Sequence, residues 1–505
     1  MKLHMNSRKS SNIMFVDDQH ILYRSGTRRS LCPATRFAHN PIIWPTFPWE
    51  VAIGWTSVYH NPELGQYQMW YQAYANVSKE SETPDTLVCY AESSDGYEWK
   101  KPMLNLFAFE GVGETNIVMV GSGGHSIRYG NSVVVDPNES DCTRRYKMGF
   151  FDFIVDSSGV ERPGLAVAFS HDGIHWSKYP EGPRLPANYC EHGEDVPITG
   201  EAENGLDYRV PLSMSDAVDI FWDPLRKLWA WYGKSWIDGP DGRMAWKHGM
   251  ARTESRNFID WSQPNLLMVP DDSDPEHLEF HSAPVFYCDG MYFCLNQLLD
   301  RSTRGGVIDI ELAVSHDGTH FCRPFRDQFF LPRNSELKAF DAGSILTNAS
   351  PVILDKEIRF YYGGYDQGAT GSDDANLVSG VGMASIPRGR FAGISPVDES
   401  SQTTLREPLK KIGQITLKPI NFSNVSSLSL NADSGKGVVR VEILTRFGMR
   451  IKGFTLADAV PIVGDSLEHS IKWHNKRIDE LEAGEFILRI HMDNATVFGL
   501  NLVYI

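Results

Sequence analysis

The sequence predicts an all-β protein: a five-bladed β-propeller over residues 1–400, followed by a β-sandwich over 401–505. Three observations carry that expectation. A seven-residue turn recurs, as SHDGIHW at Ser170–Trp176, SHDGTHF at Ser315–Phe321, SSDGYEW at Ser93–Trp99 and, more loosely, SRNFIDW at Ser255–Trp261. Five strand-like runs end on a serine, at Ser93, Ser170, Ser255, Ser315 and Ser385, at intervals of 60 to 85 residues. Upstream of each serine lies a pair of apolar segments joined by a short polar turn. Repetition on this scale marks a repeated supersecondary unit rather than a repeated active site.

The elements follow in order. The paired segments are TSVYHNPELGQYQMWYQAY, NSVVVDPNESDCTRRYKMGFFDF, VDIFWDPLRKLWAWYG, APVFYCDGMYFCLNQL and SPVILDKEIRFYYGGYD. Alternating aromatic and β-branched residues around Asn-Pro, Asp-Pro or Asp-Gly read as hairpins. The serine-ending runs LVCYAES, GLAVAFS, HGMARTES and IELAVS supply a third strand, and the turn that follows leads into a fourth. Asp-Gly suits that turn because Gly accepts positive φ and Asp bonds its own backbone. The closing aromatic, Trp99, Trp176, Trp261 or Phe321, starts the outer strand and packs between blades. The fifth run, GVGMAS, lacks the turn. Four strands in each of five units make a propeller.

Near residue 400 the texture changes. SPVDESSQTTLREPLKK reads as a linker, and QITLKPINF, SSLSLNAD, GVVRVEIL, HSIKWH, EFILRIHM and VFGLNLVYI read as six sandwich strands, with GFTLADAVPIVGDSLEH as a long loop.

Composition narrows the function classes. The 505 residues are 42% hydrophobic and 22% charged, as in an ordinary globular protein. A formal net charge of -16 argues against nucleic-acid binding, which leaves a basic footprint. The seven cysteines are scattered without metal-like spacing, and neither an apolar leader nor a membrane-length apolar run is present. These features point to a cytoplasmic protein without membrane contact, without a cofactor and without a resident metal. DPNESD, from Asp136, reads as a turn rather than a calcium loop, and His171 and His316 read as solvated turn residues.

Chemistry in a propeller gathers where the inner strands begin. The first unit offers Trp49, Glu50 and Trp55 there; the second, Arg128 and Asn131; the third, Asp216 and Asp219; the fourth, Glu279 and His281; the fifth, Asp341. Carboxylates gathered in a partly buried site shift each other's pKa and so separate an acid from a base. Glycoside hydrolysis needs such a pair, one protonated and one ionised. Trp44, Trp49, Trp55 and Trp236 supply faces for sugar stacking. Asp219 and Glu276 read as structural or exposed.

The hairpin order, the Ser-x-Asp-Gly-x-x-Trp turns and the sandwich tail resemble glycoside hydrolase families 32 and 43. SDAVDIFWDP resembles those families' middle-blade motif, with Ser215 and Ala217 in place of its Arg and Pro, and LEFHSAPVFY resembles their acid segment. The resemblance implies Glu279 as general acid and Asp216 as the group that stabilises the sugar's developing charge. Glu50 and Asp341 compete for base or nucleophile, because the first-blade Asp-Pro-Asn is absent. Trp49, Trp55, Arg128, Asn131, His281 and Trp236 are the expected substrate contacts. Two other readings stand beside hydrolysis. One is a non-catalytic carbohydrate-binding propeller; the other is a phosphorylase, which would need a phosphate-holding basic cluster drawn from Arg128, Arg144 and Arg145.

Overall fold

The computed structural model describes residues 10–75, 86–121, 131–155, 161–186, 199–201, 207–209, 214–237, 246–303, 305–369, 377–397 and 412–504. Arg128, Cys190 and most of the expected linker lie outside them. The regular secondary structure of the described residues is almost entirely strand, and no helix among them is long and apolar enough to cross a membrane.

Strand pairing groups most of residues 52–387 into five consecutive antiparallel units, of which the fourth and fifth are joined into one sheet by a parallel pairing of Ile308 with Ser344, while Thr199–Glu201 and Asp207–Arg209 form a separate two-stranded sheet. Unit one is Ala52–Asn61, Gln66–Tyr74, Thr86–Ser93 and Ile117–Val120. Unit two is Ser132–Val135, Tyr146–Val155, Glu161–Ser170 and Trp176–Lys178, and unit three is Met214–Asp223, Leu228–Ile237, Lys247–Ser255 and Asn265–Met268. In unit four Leu278–Ser282 and Val285–Cys288 share Met291–Asp300, which pairs on to Val307–Ser315. In unit five Ser344–Thr347 and Val352–Ile353 pair with Glu357–Tyr365, and that strand with Ser379–Pro387. The outer strand of unit five is Thr35–Arg36, from the other end of the chain. This is why Ser385 needs no turn after it: its neighbour arrives from elsewhere.

The inner strands are laced into a ring by polar groups. Ser57 Oγ donates to the Asn131 carbonyl and accepts from Val133 N; Ser132 Oγ accepts from Ile220 N. Ser282 Oγ donates to Asp219, which also accepts from Ala349 N, and Asn348 Oδ1 accepts from Thr56 N. The ring thus passes through all five units. Burial pushes the Asp219 carboxyl up to about 7, against the pull of those two hydrogen bonds.

The repeated turns fasten neighbouring units. An aromatic side chain on the second strand of one unit donates to the turn glycine's carbonyl in the next: Trp70 Nε1 to Gly173 at 2.6 Å, Tyr232 OH to Gly318 at 2.7 Å, and Tyr361 OH to Gly96 at 3.0 Å. The closing aromatics sit edge-on to the same donors, Trp176 to Trp70, Phe321 to Tyr232 and Trp99 to Tyr361. Unit three has no turn glycine. Phe258 takes the positive φ, 66°, and its buried ring meets Phe169 of unit two. A buried polar tip with a partner and an edge-to-face ring contact is the arrangement that makes an aromatic anchor worthwhile.

The C-terminal sheet takes in more of the chain than residues 401–505. Ser10–Met14 pairs with Thr496–Tyr504, Ile21–Ser25 with Ile412–Leu417, and Thr27–Leu31 with Ala392–Pro396. Residues read as propeller therefore belong, by hydrogen bonding, with the tail. Val425–Thr445 is one long strand rather than two: its first half pairs with Thr496–Tyr504 and its second with Glu485–Asp493. The segment expected to be a loop contains Ile462–Ser470, which pairs with that long strand. Ile13, Phe15, Ile415, Leu430, Val441, Ile490 and Leu500 form the core beneath.

Candidate active site

Three inner strands slip register at the residues expected to carry function. The slips fall between Gly54 and Thr56, between Met214 and Val218, and between Phe280 and Ser282. An extra residue in one strand re-aims a side chain out of the ladder, and the residues released are Trp55, Asp216 and His281. Trp55 has φ 40°, and its ring lies on His281 at 5.7 Å with 23° between the planes.

Around them a compact polar cluster forms between units three and four. Lys234 Nζ bonds Asp216 Oδ1 at 2.5 Å. His248 Nδ1 meets Glu279 Oε2 at 2.5 Å, and Arg301 Nε donates to Glu279 Oε1 at 2.6 Å. His281 Nδ1 faces Gln297 Oε1 at 3.2 Å, and Gln297 in turn donates to the Thr347 carbonyl. Trp236 covers His248 with ring centroids 3.7 Å apart. Glu279, His248 and His281 are buried, whereas Trp236 is half-buried and 38% of the Arg301 side chain is exposed, so the cluster opens to solvent there.

The electrostatics follow from this company. Burial pushes the His248 and His281 imidazoles down, to about 4 and about 3, with the Lys234 charge adding to the effect. Both are neutral at pH 7, and His248 donates its Nδ1 proton to Glu279. Burial favours a protonated Asp216, but the charge and hydrogen bond of Lys234 outweigh it and hold Asp216 ionised. Burial likewise raises Glu279, and the His248 hydrogen bond with the Arg301 charge reverses it, to about 2. The role of general acid expected of Glu279 does not match this resting state: an acid needs a proton, and Glu279 has none above pH 2 or so.

Other expectations fall away for a common reason. Glu50 is fully buried in unit one, where Lys101 Nζ at 2.7 Å, Tyr71 OH at 2.6 Å and the amides of Thr46 and Phe47 occupy it. Asp341 is fully buried in unit five against Arg36 Nε at 2.8 Å and Tyr362 OH at 2.9 Å. A buried carboxylate held by a cation in this way reads as a structural ion pair, and neither joins the cluster; Glu50 has both oxygens taken, whereas both bonds of Asp341 fall on Oδ2 and its buried Oδ1 has no partner among the described residues. Trp49 is buried, stacked on Phe47 and bonded to Asn116, so it has no free face. Trp44 is half-exposed but lies against Phe340 of unit five. Arg144 lies over Phe169 and donates to the Asn257 carbonyl, so it fastens units two and three rather than holding phosphate.

Asn131 is fully buried beside the polar ring, and both polar atoms of its amide lack a hydrogen-bond partner among the described residues. Buried polar groups are nearly always satisfied, so an amide left open in this way fits a bound water or a ligand hydroxyl. Lys234, His248, Gln297 and Arg301 were not among the expected residues. They lie on or just beyond second and third strands, and the clearest signal was the lone lysine in the otherwise apolar LWAWYGKSWI.

No family model and no curated protein matches this chain. Solved structures similar to it include an exo-inulinase from Aspergillus awamori (14% identity, covering 93% of this chain and 99% of that one, TM-score 0.41). A structure described under the GH130 family of mannoside phosphorylases (16%, 70% and 94%, 0.43) and a glycosyl hydrolase from Bacteroides ovatus (16%, 70% and 94%, 0.41) are also similar. Similarity of this degree carries no residue-by-residue correspondence, and the chemistry of the cluster rests on its own side chains.

Proposed function

We propose that the protein is a glycosidase that binds and cleaves a carbohydrate at the cluster between units three and four. The observation that carries this reading is the convergence of two carboxylates from neighbouring units, Asp216 and Glu279, with Lys234, His248, His281 and Arg301 beside the half-buried Trp236. Hydroxyl-rich ligands are recognised by such mixtures of charged donors, acceptors and aromatic faces. In the proposed reaction, sugar stacks on the solvent-facing Trp236, and Lys234 and Asp216 hold its hydroxyls. A substrate group displaces Arg301 from Glu279, which removes one of the pulls that keep it ionised and leaves the His248 hydrogen bond; Glu279 then takes a proton from solvent and gives it to the leaving oxygen. Asp216 stays ionised and faces the charge that develops on the sugar, while a water molecule bonds to the anomeric carbon in place of the leaving oxygen and releases its proton to solvent.

The test is turnover on a panel of aryl glycosides and oligosaccharides. Glu279→Gln is expected to lower kcat/KM by about 10²-fold or more, the scale of lost acid catalysis. Arg301→Met removes a charge that lowers Glu279 and is expected to move the basic limb of the pH profile, where the acid loses its proton, to higher pH. Unchanged turnover by Glu279→Gln would remove Glu279 from the chemistry.

One observation favours a second reading. Both oxygens of Glu279 are already occupied, which suits a site that only binds sugar. Saturable oligosaccharide binding without turnover on any glycoside would select that alternative.

A further inference from the structure

The turn Ser170–Trp176 carries three side chains that the cluster does not use. Part of it is consumed by its own backbone. Ser170 Oγ accepts from Gly173 N at 2.9 Å, and Asp172 Oδ1 accepts from Ile174 N at 2.8 Å and His175 N at 2.9 Å. The other carboxylate oxygen faces imidazoles. Asp172 Oδ2 is 2.7 Å from His175 Nδ1 and 3.4 Å from His171 Nε2. The three potential ligand atoms lie within 4.8 Å of one another. The two rings stand nearly parallel, with centroids 5.9 Å apart and 20° between planes, and each histidine side chain is 60% exposed.

We propose that His171, Asp172 and His175 form a solvent-open site for a divalent transition-metal ion of the zinc class. Two neutral imidazoles and a carboxylate are the donors that zinc, copper and nickel prefer, whereas calcium and magnesium favour all-oxygen sets. Three protein ligands leave at least one position for water or an incoming group. The ligands are held in advance of any ion. Trp70 and Trp176 both donate to the Gly173 carbonyl, at 2.6 and 2.9 Å, so the loop that spaces the two histidines is fixed from both sides. The sequence reading took His171 as solvated and expected no metal, because spacing alone does not show that the side chains turn inward.

The near-copy at Ser315–Phe321 is an internal control. His320 Nδ1 meets Asp317 Oδ2 at 2.6 Å, as in the first turn, but His316 Nε2 is turned to Asp17 Oδ2 at 2.8 Å. It keeps two of the three ligands.

The experiment is calorimetric titration of the untagged full chain with Zn²⁺, followed by Co²⁺ absorption to identify the ligands. One saturable equivalent is expected. His171→Gln and His175→Gln should each weaken it by more than tenfold, since even lost supporting groups at metal sites cost roughly 10- to 100-fold. His316→Gln should leave it unchanged. Absence of a saturable equivalent up to millimolar Zn²⁺ would overturn the proposal. So would an equivalent that persists unaltered in a His171→Gln/His175→Gln variant with the parent's melting temperature.

Discussion

The turns of units two and four differ at two of seven positions, Ile174 against Thr319 and Trp176 against Phe321, yet their first histidines end in different company. Within each turn the geometry is nearly the same. The serine-to-glycine bond is 2.9 Å in one and 3.0 Å in the other, and the aspartate takes the same two amides. Outside the turn they part. His171 remains over Asp172, whereas His316 reaches Asp17, in the loop after Ser10–Met14, and so ties unit four to the C-terminal sheet. A local motif fixes its own backbone, and whatever arrives from elsewhere in the chain decides what its free side chain does.

Several substitutions would break or sharpen that contrast. The largest effect is expected at the glycines, which have φ of 82° and 73°. A Cβ on Gly173 would stand 2.6 Å from Trp70, and one on Gly318 3.0 Å from Tyr292. Gly173→Ala should cost about 3 kcal/mol and Gly318→Ala about 1–2 kcal/mol, by urea denaturation, as strain at positive φ and overpacking add. Equal losses would mean that the inter-unit contacts are interchangeable after all.

Next comes the fastening itself. His316→Ala removes a charge-assisted contact and should cost about 1–3 kcal/mol, while His171→Ala should stay within about 0.5 kcal/mol. The pH dependence gives a sharper check. Burial raises Asp17, but the His316 hydrogen bond, the Gln19 amide and the nearby charges outweigh it, so its pKa is lowered. A lowered carboxyl stabilises the fold above the unfolded-state value of about 3.9 and loses that contribution as pH falls through the folded value. The gap between parent and His316→Ala should therefore narrow below about pH 4. A gap that stays constant to pH 2 would show that the contact is not linked to Asp17's charge. The smallest expected difference is between Ser170→Ala and Ser315→Ala, each losing about 1 kcal/mol; a clear inequality would mean that the turns are not locally equivalent.

Much of the propeller was legible because its signals are local. Asp-Gly and Asp-Pro turns, serine-ended runs and alternating aromatics each lie within about 20 residues, and the units form where they were read. Pairings that span the chain were not legible. SSNIM, ILYRS and TRRSL are short and half polar, and nothing in them names Thr496–Tyr504 or Ile412–Leu417 as partners. The site divides in the same way. Asp216, Glu279, His281, Trp55 and Trp236 share one cluster, but Glu50 and Asp341 gave an identical signal, a carboxylate at the start of an apolar strand. All four carboxylates acquire a cation, and what separates them is where it stands: Glu50 and Asp341 are held away from the cluster by Lys101, 51 residues away, and by Arg36, 305 residues away. The ionised state of Glu279 was hidden for the same reason, since Arg301 and His248 come from other strands.

The strands at residues 10–31 have a consequence for how the protein is made. They are translated well before their hydrogen-bond partners, which lie at 392–396, 412–417 and 496–504. Through most of synthesis this segment has no ladder to join, and long-range pairing of this kind is slow and exposed to aggregation. Its alternation of arginine, serine and asparagine with apolar residues keeps the waiting edge soluble. Closure of unit five by Thr35–Arg36 likewise waits for Ser379–Pro387. The pairing of Ser10–Met14 with Thr496–Tyr504 is therefore a step that a nascent chain stalled before residue 496 cannot complete.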